Sequence, residues 1–180
     1  MRDLCIVSDE KNIARIFQLW ISETSEYSGT IFTSKQYEDN EIDNRSDNIV
    51  IFIGKNKISK PLESIMDIKF DKFGIKYGWK GTRAFIKVKT SSLKAKEWKE
   101  MMTYYSEKYE KINIQNGGYR AKHAMIDAFF ILIAGGVPAV IIRNVISNRK
   151  MKEIKYNTAA FQFVELDGLK NFIKDIDKDE

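Results

Sequence analysis

The sequence predicts a three-layer α/β domain built on a parallel β-sheet, and three observations carry this prediction. Short apolar segments alternate with amphipathic segments over the first half of the chain, as in sheets covered by helices. The run Ile49–Ile53 contains only apolar residues between polar neighbours, which is typical of an interior strand. The chain has 180 residues, of which 43% are hydrophobic, and this is enough for the core of one domain.

Local signals predict the elements that precede this interior strand. Residues 4–7 are apolar and predict the first strand, and Ser8 and Asp9 then offer N-caps for a helix. That helix is predicted by apolar residues at helical spacing, namely Ile13, Ile16, Phe17 and Trp20. Residues 29–33 predict a second strand, and a short helix is expected over residues 37–42.

The segment after the interior strand begins with a helix-start signal, because Ser59 offers an N-cap and Pro61 lies near the first helical position. Residues 73–82 contain three glycines, at positions 74, 78 and 81, and this predicts a loop or a hairpin. A glycine-rich nucleotide-binding loop needs a backbone without large side chains, whereas this segment carries Tyr77 and Trp79. The three glycines are therefore not a nucleotide-binding motif. Residues 84–88 predict another strand.

The second half is divided from the first at Asn116, Gly117 and Gly118, where we expect a loop. Residues 1–116 are predicted to form the α/β domain. Residues 117–180 are predicted to add an apolar helical segment, a strand and a terminal helix packed on the same core. The predicted elements are a core-facing helix over residues 98–109, a buried helix over 119–134, a second apolar segment from 137 to 142, a strand over 159–166, and a last helix capped by Asp167.

Residues 124–142 are strongly apolar, which raises the question of membrane insertion. Asp127 and the break at residues 135–138 interrupt the run, and an ionised aspartate in hydrocarbon is costly, so insertion is the lesser alternative. A helix that is apolar on nearly every face is normally buried in a core or against a partner. A chain of this size has little material to cover it, so we expect a homo-oligomer.

The net charge limits which partners are expected, and the cysteine content limits which cellular compartment is expected. The net charge of +5 comes from 30 Lys+Arg against 25 Asp+Glu, a mildly basic balance that does not favour nucleic acid as a partner. Cys5 is the one cysteine, so the chain forms no internal disulfide, which fits the cytoplasm. With His123 as the one histidine, a Cys/His zinc site is not expected. His123 and Asp127 are a lesser candidate pair for proton transfer.

Polar residues that follow the first and the interior strand predict a nucleotide site. Ligands of open α/β sheets bind outside the carboxyl ends of the strands. Asp9 would accept hydrogen bonds from ribose hydroxyls, while the backbone N–H groups near Gly54 and the charge of Lys55 would hold phosphate. The alternative is that residues 54–57 form an exposed polar turn. The predicted ligand-binding residues are Ser8, Asp9, Gly54, Lys55, Asn56 and Ser59.

Residues 44–56, followed by Ser59, resemble the middle of TIR and TIR-like flavodoxin-fold domains. A polar lead that contains Ser46 and Asp47 runs into an apolar strand that ends in glycine, and the resemblance covers residues 1–90. It implies a flavodoxin-like sheet and NAD or another nucleotide as ligand. In NAD-cleaving TIR domains the next helix carries a glutamate. Here the best-matching positions hold Met66 and Asp67, with Glu63 one turn earlier, so Glu63 and Asp67 are the candidate catalytic carboxylates.

Three function classes therefore remain open. The first is a nucleotide-recognising signalling or defence domain that cleaves NAD or a related nucleotide, or only binds it. The second is a non-enzymatic homo-oligomeric signalling or assembly module on the same fold. The third is a small membrane-active effector in which residues 124–142 insert.

Overall fold

The computed structural model describes residues 3–40, 49–54, 57–65, 68–89, 97, 100, 103 and 137–179. Ten elements lie within these ranges: β1 (Asp3–Val7), α1 (Lys11–Thr24), β2 (Ser28–Phe32), α2 (Ser34–Asp39), β3 (Ile49–Ile53), α3 (Lys60–Ile65), β4 (Ile75–Lys80), β5 (Arg83–Val88), α4 (Val137–Val164) and α5 (Gly168–Asp179). The chain divides into two compact units. One comprises Met1–Lys89 with Tyr156–Glu180, and the other comprises Thr90–Lys155.

The first unit contains a five-stranded mixed sheet in the order β2-β1-β3-β5-β4. Strands β2, β1, β3 and β5 run parallel, and β4 pairs antiparallel with β5. The prediction of an interior strand is confirmed, because β3 lies between β1 and β5 and its residues are all buried. The predicted parallel sheet is confirmed for these four strands, and β4 departs from it because a tight hairpin returns the chain along its neighbour.

Helices cover both faces of this sheet. The in-register row Val7, Phe52 and Phe85 packs with Tyr37 of α2 and Leu62 of α3. The alternate residues of the strands point the other way. Tyr77 packs on Phe163 of α4, Trp79 packs on Phe172 of α5, and Ile6 meets Ile21 of α1 over Gly29. These contacts make a three-layer arrangement with apolar residues on both faces of the sheet, which explains why β3 is an unbroken apolar run.

Several predicted elements of the first unit lie within a few residues of their predicted positions. Helix α2 begins after Thr33, whose hydroxyl accepts from the backbone N–H of Gln36, while the Gln36 side chain accepts from the Thr33 N–H. This is a capping box, and it explains why a six-residue helix forms here. The predicted loop or hairpin over residues 73–82 is a hairpin, with Gly81 at its turn in a left-handed conformation of φ 52°.

The strand predicted over residues 159–166 is wrong, because most of this segment belongs to α4. Thr158, Ala159, Ala160 and Phe161 follow one another and are all buried, so burial extends round the whole helix and the segment has no exposed face. A helix buried all round cannot be distinguished from a buried strand by periodicity. The predicted last helix is confirmed as α5, whose buried residues are Leu169, Phe172, Ile173 and Ile176.

The remaining sequence predictions fall outside the described residues. These are the helix expected over residues 119–134, the pair His123 and Asp127, the apolar residues 124–134 on which the homo-oligomer prediction rests, and all but residues 100 and 103 of the helix expected over 98–109. Among the helices that the structure describes, none combines the length and the apolar character needed to cross a membrane.

Candidate functional site

The strand order places a topological switch point between β1 and β3. After β1 the chain passes through α1 to β2 on one side, and after β3 it passes through α3 to β4 and β5 on the other side. Because Val7 pairs with Phe52 in a parallel register, the loops after β1 and β3 begin side by side at the same end of the sheet. Crevices of this kind are where open α/β sheets bind ligands.

Gly54 directly follows β3 and turns the chain away from the sheet. Its N–H donates to the carbonyl of Ile86 at 2.9 Å, and its φ of 83° is a left-handed conformation that glycine adopts without strain. A Cβ atom at this position would lie 3.2 Å from the Tyr156 hydroxyl oxygen and 3.3 Å from Oε1 of Glu10. A hydroxyl and a carboxylate oxygen therefore converge over the Gly54 backbone, directly beside the switch point.

Tyr156 reaches this position from α4 and is almost completely buried. Burial raises the pKa of Tyr156 strongly, the negative charge of Glu10 raises it further, and a hydrogen bond from the Val88 backbone N–H acts in the opposite direction. The side chain is consequently a neutral hydroxyl at physiological pH. It places a hydrogen-bond donor beside the Glu10 carboxylate, which is an acceptor.

Ser8 shapes the turn that delivers Glu10. Its backbone N–H donates to the carbonyl of Phe32 at 3.0 Å, and its buried hydroxyl accepts from the Glu10 N–H at 3.2 Å. Glu10 is the N-cap residue of α1, and its carboxylate lies over Gly54 rather than over the first turn of its own helix. Ser8 thus contributes to the site through the backbone turn that it stabilises.

Asp9 lies at the same edge of the sheet, but its carboxylate faces α2. One oxygen accepts from the Ser34 N–H at 2.8 Å, and the other accepts from the Ser34 hydroxyl at 2.7 Å. These bonds hold the turn after β1 against the first turn of α2. The ribose contact predicted for Asp9 would have to use the remaining lone pairs of oxygens that are already oriented towards Ser34.

A second polar cluster contains Ser59, Glu63 and Lys87. The buried Ser59 hydroxyl donates to one carboxylate oxygen of Glu63 at 2.9 Å, and the other oxygen forms an ion pair with the Lys87 ammonium. Lys87 extends from β5 on the face that α3 covers, as Phe85 does, whereas α4 covers the opposite face. The predicted site residues are thereby divided between two clusters on different faces of the sheet.

Three residues of these clusters were not predicted as site residues. Glu10 directly follows two that were, and its place at a helix start is a usable signal. Lys87 is the one charged residue in the apolar segment 84–88, which indicates a partnered side chain. Tyr156 has no local signal, because its position depends on how α4 packs on the sheet.

The predicted site residues Lys55, Asn56 and Asp67 lie outside the described residues. Within the part of the chain that the structure describes, no group of three His, Cys, Asp or Glu side chains is arranged to hold a metal ion. Comparisons with protein-family models, with curated proteins and with solved structures found no match to this chain.

Proposed function

We propose that this protein recognises a nucleotide at the carboxyl edge of its sheet and works as a signalling or defence domain with a flavodoxin-like, TIR-like arrangement. The observation that carries the proposal is the convergence of Glu10 and Tyr156 over Gly54 at the switch point between β1 and β3. The parallel core β2-β1-β3 with helices on both faces supports the flavodoxin-like assignment.

The groups at this edge match the two polar parts of a nucleotide. The carboxylate of Glu10 and the hydroxyl of Tyr156 offer an acceptor and a donor to a sugar. Lys55 and Asn56 follow Gly54 in the sequence and supply the charge and the donors that suit phosphate. NAD, ATP and AMP all combine these two parts, so the proposal names the ligand class rather than one ligand.

The partners of Glu63 favour recognition over cleavage. A carboxylate that assists cleavage of NAD must reach the ligand, whereas both oxygens of Glu63 are engaged by Ser59 and Lys87. Breaking a partly buried ion pair of this kind costs free energy, because each charge loses a partner in a region of low dielectric. We therefore propose nucleotide binding as the primary activity. NAD cleavage through Glu63 or Asp67 is the enzymatic alternative.

The proposal is tested by calorimetric titration of the full chain with NAD, ATP and AMP. Lys55→Ala should weaken binding by about 1–3 kcal/mol, the usual range for a charged hydrogen bond. Lys57→Ala is the matched control, because Lys57 is an exposed lysine only two positions away. If none of the three nucleotides binds, or if Lys55→Ala and Glu10→Gln both leave binding unchanged, the proposed site is wrong.

Cleavage is tested separately by incubating the protein with NAD and separating the products by chromatography. If the wild type releases nicotinamide and Glu63→Gln does not, the protein cleaves NAD through Glu63. Binding of NAD without turnover would support recognition alone.

A further inference from the structure

The outer edge of the sheet, formed by β4, has backbone groups that do not face β5. In an antiparallel pair, alternate residues direct their N–H and C=O groups at the partner strand, and the residues between them direct these groups away. The N–H of Lys89 donates to the carbonyl of Gly74 at 2.7 Å, so alternate residues counted from Gly74 face β5. The backbone groups of Ile75, Tyr77 and Trp79 therefore face outward.

The chain itself closes the first of these three outward positions. The carboxylate of Asp71 accepts from the Ile75 N–H at 2.7 Å, and the Asp71 N–H donates to the Ile75 carbonyl at 3.1 Å. In the part of the chain that the structure describes, the backbone N–H and C=O groups of Tyr77 and Trp79 have no hydrogen-bond partner. Both residues are only partly buried, so β4 presents two donors and two acceptors to an added strand.

The side chains of β4 give this edge two different faces. Tyr77 and Trp79 lie on one face, where their rings are parallel to within 9° at a centroid distance of 6.3 Å. Lys76 and Lys80 lie on the other face, and each is directly opposite a cationic residue of β5. Like charges in such pairs destabilise a sheet, and neither lysine of β4 forms an ion pair with a described residue. This face therefore carries positive charge that an acidic partner would neutralise.

We propose that β4 docks an extended segment of a partner protein in which acidic and apolar residues alternate. The added strand hydrogen-bonds with the outward backbone groups of Tyr77 and Trp79. Because side chains alternate between the faces of a strand, its apolar residues lie beside the two aromatic rings and its carboxylates lie beside Lys76 and Lys80. This edge is distinct from the switch point between β1 and β3, so the inference does not rest on the proposed function.

The same lysines argue against a second copy of this chain as the occupant. Antiparallel pairing of β4 with its own copy would place four lysines on one face of the joined strands. If Tyr77 of one copy faced Trp79 of the other, Lys76 would lie directly opposite Lys80. Edge lysines discourage self-pairing of this kind, whereas a partner with carboxylates at these positions turns the same charges into attraction.

The experiment follows amide hydrogen exchange in the full chain by NMR. In the free protein, the amide protons of Tyr77 and Trp79 should exchange faster than those of Lys76 and Gly78, which bond to β5. The probe is a peptide of about seven residues that alternates valine and glutamate, long enough for an ordinary strand. At saturation it should slow exchange at Tyr77 and Trp79 by at least about tenfold.

Two comparisons separate strand addition from simple charge attraction. The same peptide with N-methyl groups on its three central residues cannot form the ladder and should leave exchange at Tyr77 and Trp79 unchanged. The double variant Lys76→Glu with Lys80→Glu should bind the acidic peptide about 3- to 30-fold more weakly, the combined range for two exposed ion pairs. It should instead bind a peptide that alternates valine and lysine. The variant places opposite charges across the hairpin, so it is expected to fold.

A matched control changes the net charge equally at a distance from β4. Lys11→Glu with Lys35→Glu, at exposed lysines of α1 and α2, should bind the acidic peptide within about twofold of the wild type at physiological salt. Absence of acidic-peptide binding, equal binding of the N-methylated peptide, or equal losses in the two double variants would each overturn the proposal. Exchange at Tyr77 and Trp79 that slows with protein concentration alone would assign the edge to a second copy and overturn it as well.

Discussion

Two regions of this protein pair an aromatic hydrogen-bond donor with a carboxylate, and they do so with different consequences. At the outer edge of the sheet, the indole N–H of Trp79 donates to Asp175 of α5 at 3.0 Å. At the switch point, the hydroxyl of Tyr156 lies beside the Glu10 carboxylate over Gly54. The first pair joins an edge strand to a helix, while the second lies where the loops after two parallel strands diverge.

The surroundings of the two pairs explain the difference. The Trp79 ring lies 6.3 Å from the Tyr77 ring and 5.8 Å from the Phe172 ring, so it is part of a packed aromatic cluster. The hydrogen bond from Trp79 lowers the pKa of Asp175, whereas burial raises the pKa of Tyr156. The outer pair stabilises a charge that was already at the surface. The inner pair holds a neutral donor beside a charge at the switch point, the edge at which open α/β sheets bind ligands.

Removing the aromatic packing of the outer region should have the largest effect on stability and none on the site. Phe172→Ala should lower the free energy of unfolding by about 3–5 kcal/mol, because the ring is fully buried against Trp79 and Phe163. Urea denaturation measures the loss, and Leu166→Ala, at a side chain that is 40% exposed, is the control. AMP affinity should not change. A loss below about 1 kcal/mol would contradict the packing described for this region.

Two glycines with positive φ allow strain to be separated from ligand contact. Gly54→Ala and Gly81→Ala should each destabilise the fold by about 1–3 kcal/mol, because alanine is strained in the left-handed region. Gly81 has open space around its would-be Cβ, whereas that of Gly54 meets Tyr156 and Glu10. Only Gly54→Ala should therefore weaken AMP binding, as measured by calorimetry. Equal effects of the two substitutions on binding would remove Gly54 from the site.

The burial of Tyr156 predicts how stability depends on pH. Above a pH of about 10 the unfolded chain loses the tyrosine proton while the folded protein keeps it, so the free energy of unfolding falls as pH rises. Tyr156→Phe should remove up to about 1.4 kcal/mol per pH unit of this fall and leave the contribution of Tyr77 in place. Parallel urea titrations from neutral to alkaline pH measure the difference. Identical slopes would show that Tyr156 ionises freely in the folded state.

The smallest effect is expected at Asp175, since this carboxylate is at the surface. Its pKa is lowered in the folded state, so its contribution to stability is present at neutral pH and is lost as the pH falls through that lowered value. Asp175→Asn should slightly reduce stability at neutral pH and leave stability in acid unchanged. Asp177→Asn, at an exposed position on the same helix, is the control. A larger loss in acid than at neutral pH would reverse the sign and contradict the prediction.

The sequence by itself determined the features that depend on neighbouring residues. Ile49–Ile53 is apolar throughout because both faces of the strand are covered, and this can be read directly as an interior strand. The glycines around Tyr77 and Trp79 predict a loop or a hairpin, and the spacing of Leu169, Phe172 and Ile176 predicts a helix with one buried face. The placement of Ser8 and Gly54 at the carboxyl edge followed from the same local pattern.

Only the tertiary structure decided the features that depend on distant parts of the chain. The choice of a hairpin over a loop for residues 73–82 and the helical state of residues 159–164 were decided by packing. A segment buried on every side, such as residues 159–164, shows no periodicity that distinguishes a helix from a strand. The meeting of Glu10 with Tyr156 joins nearly opposite ends of the chain. No local pattern encodes such a contact, because hydrophobic periodicity reports which face of an element is buried and not which partner buries it.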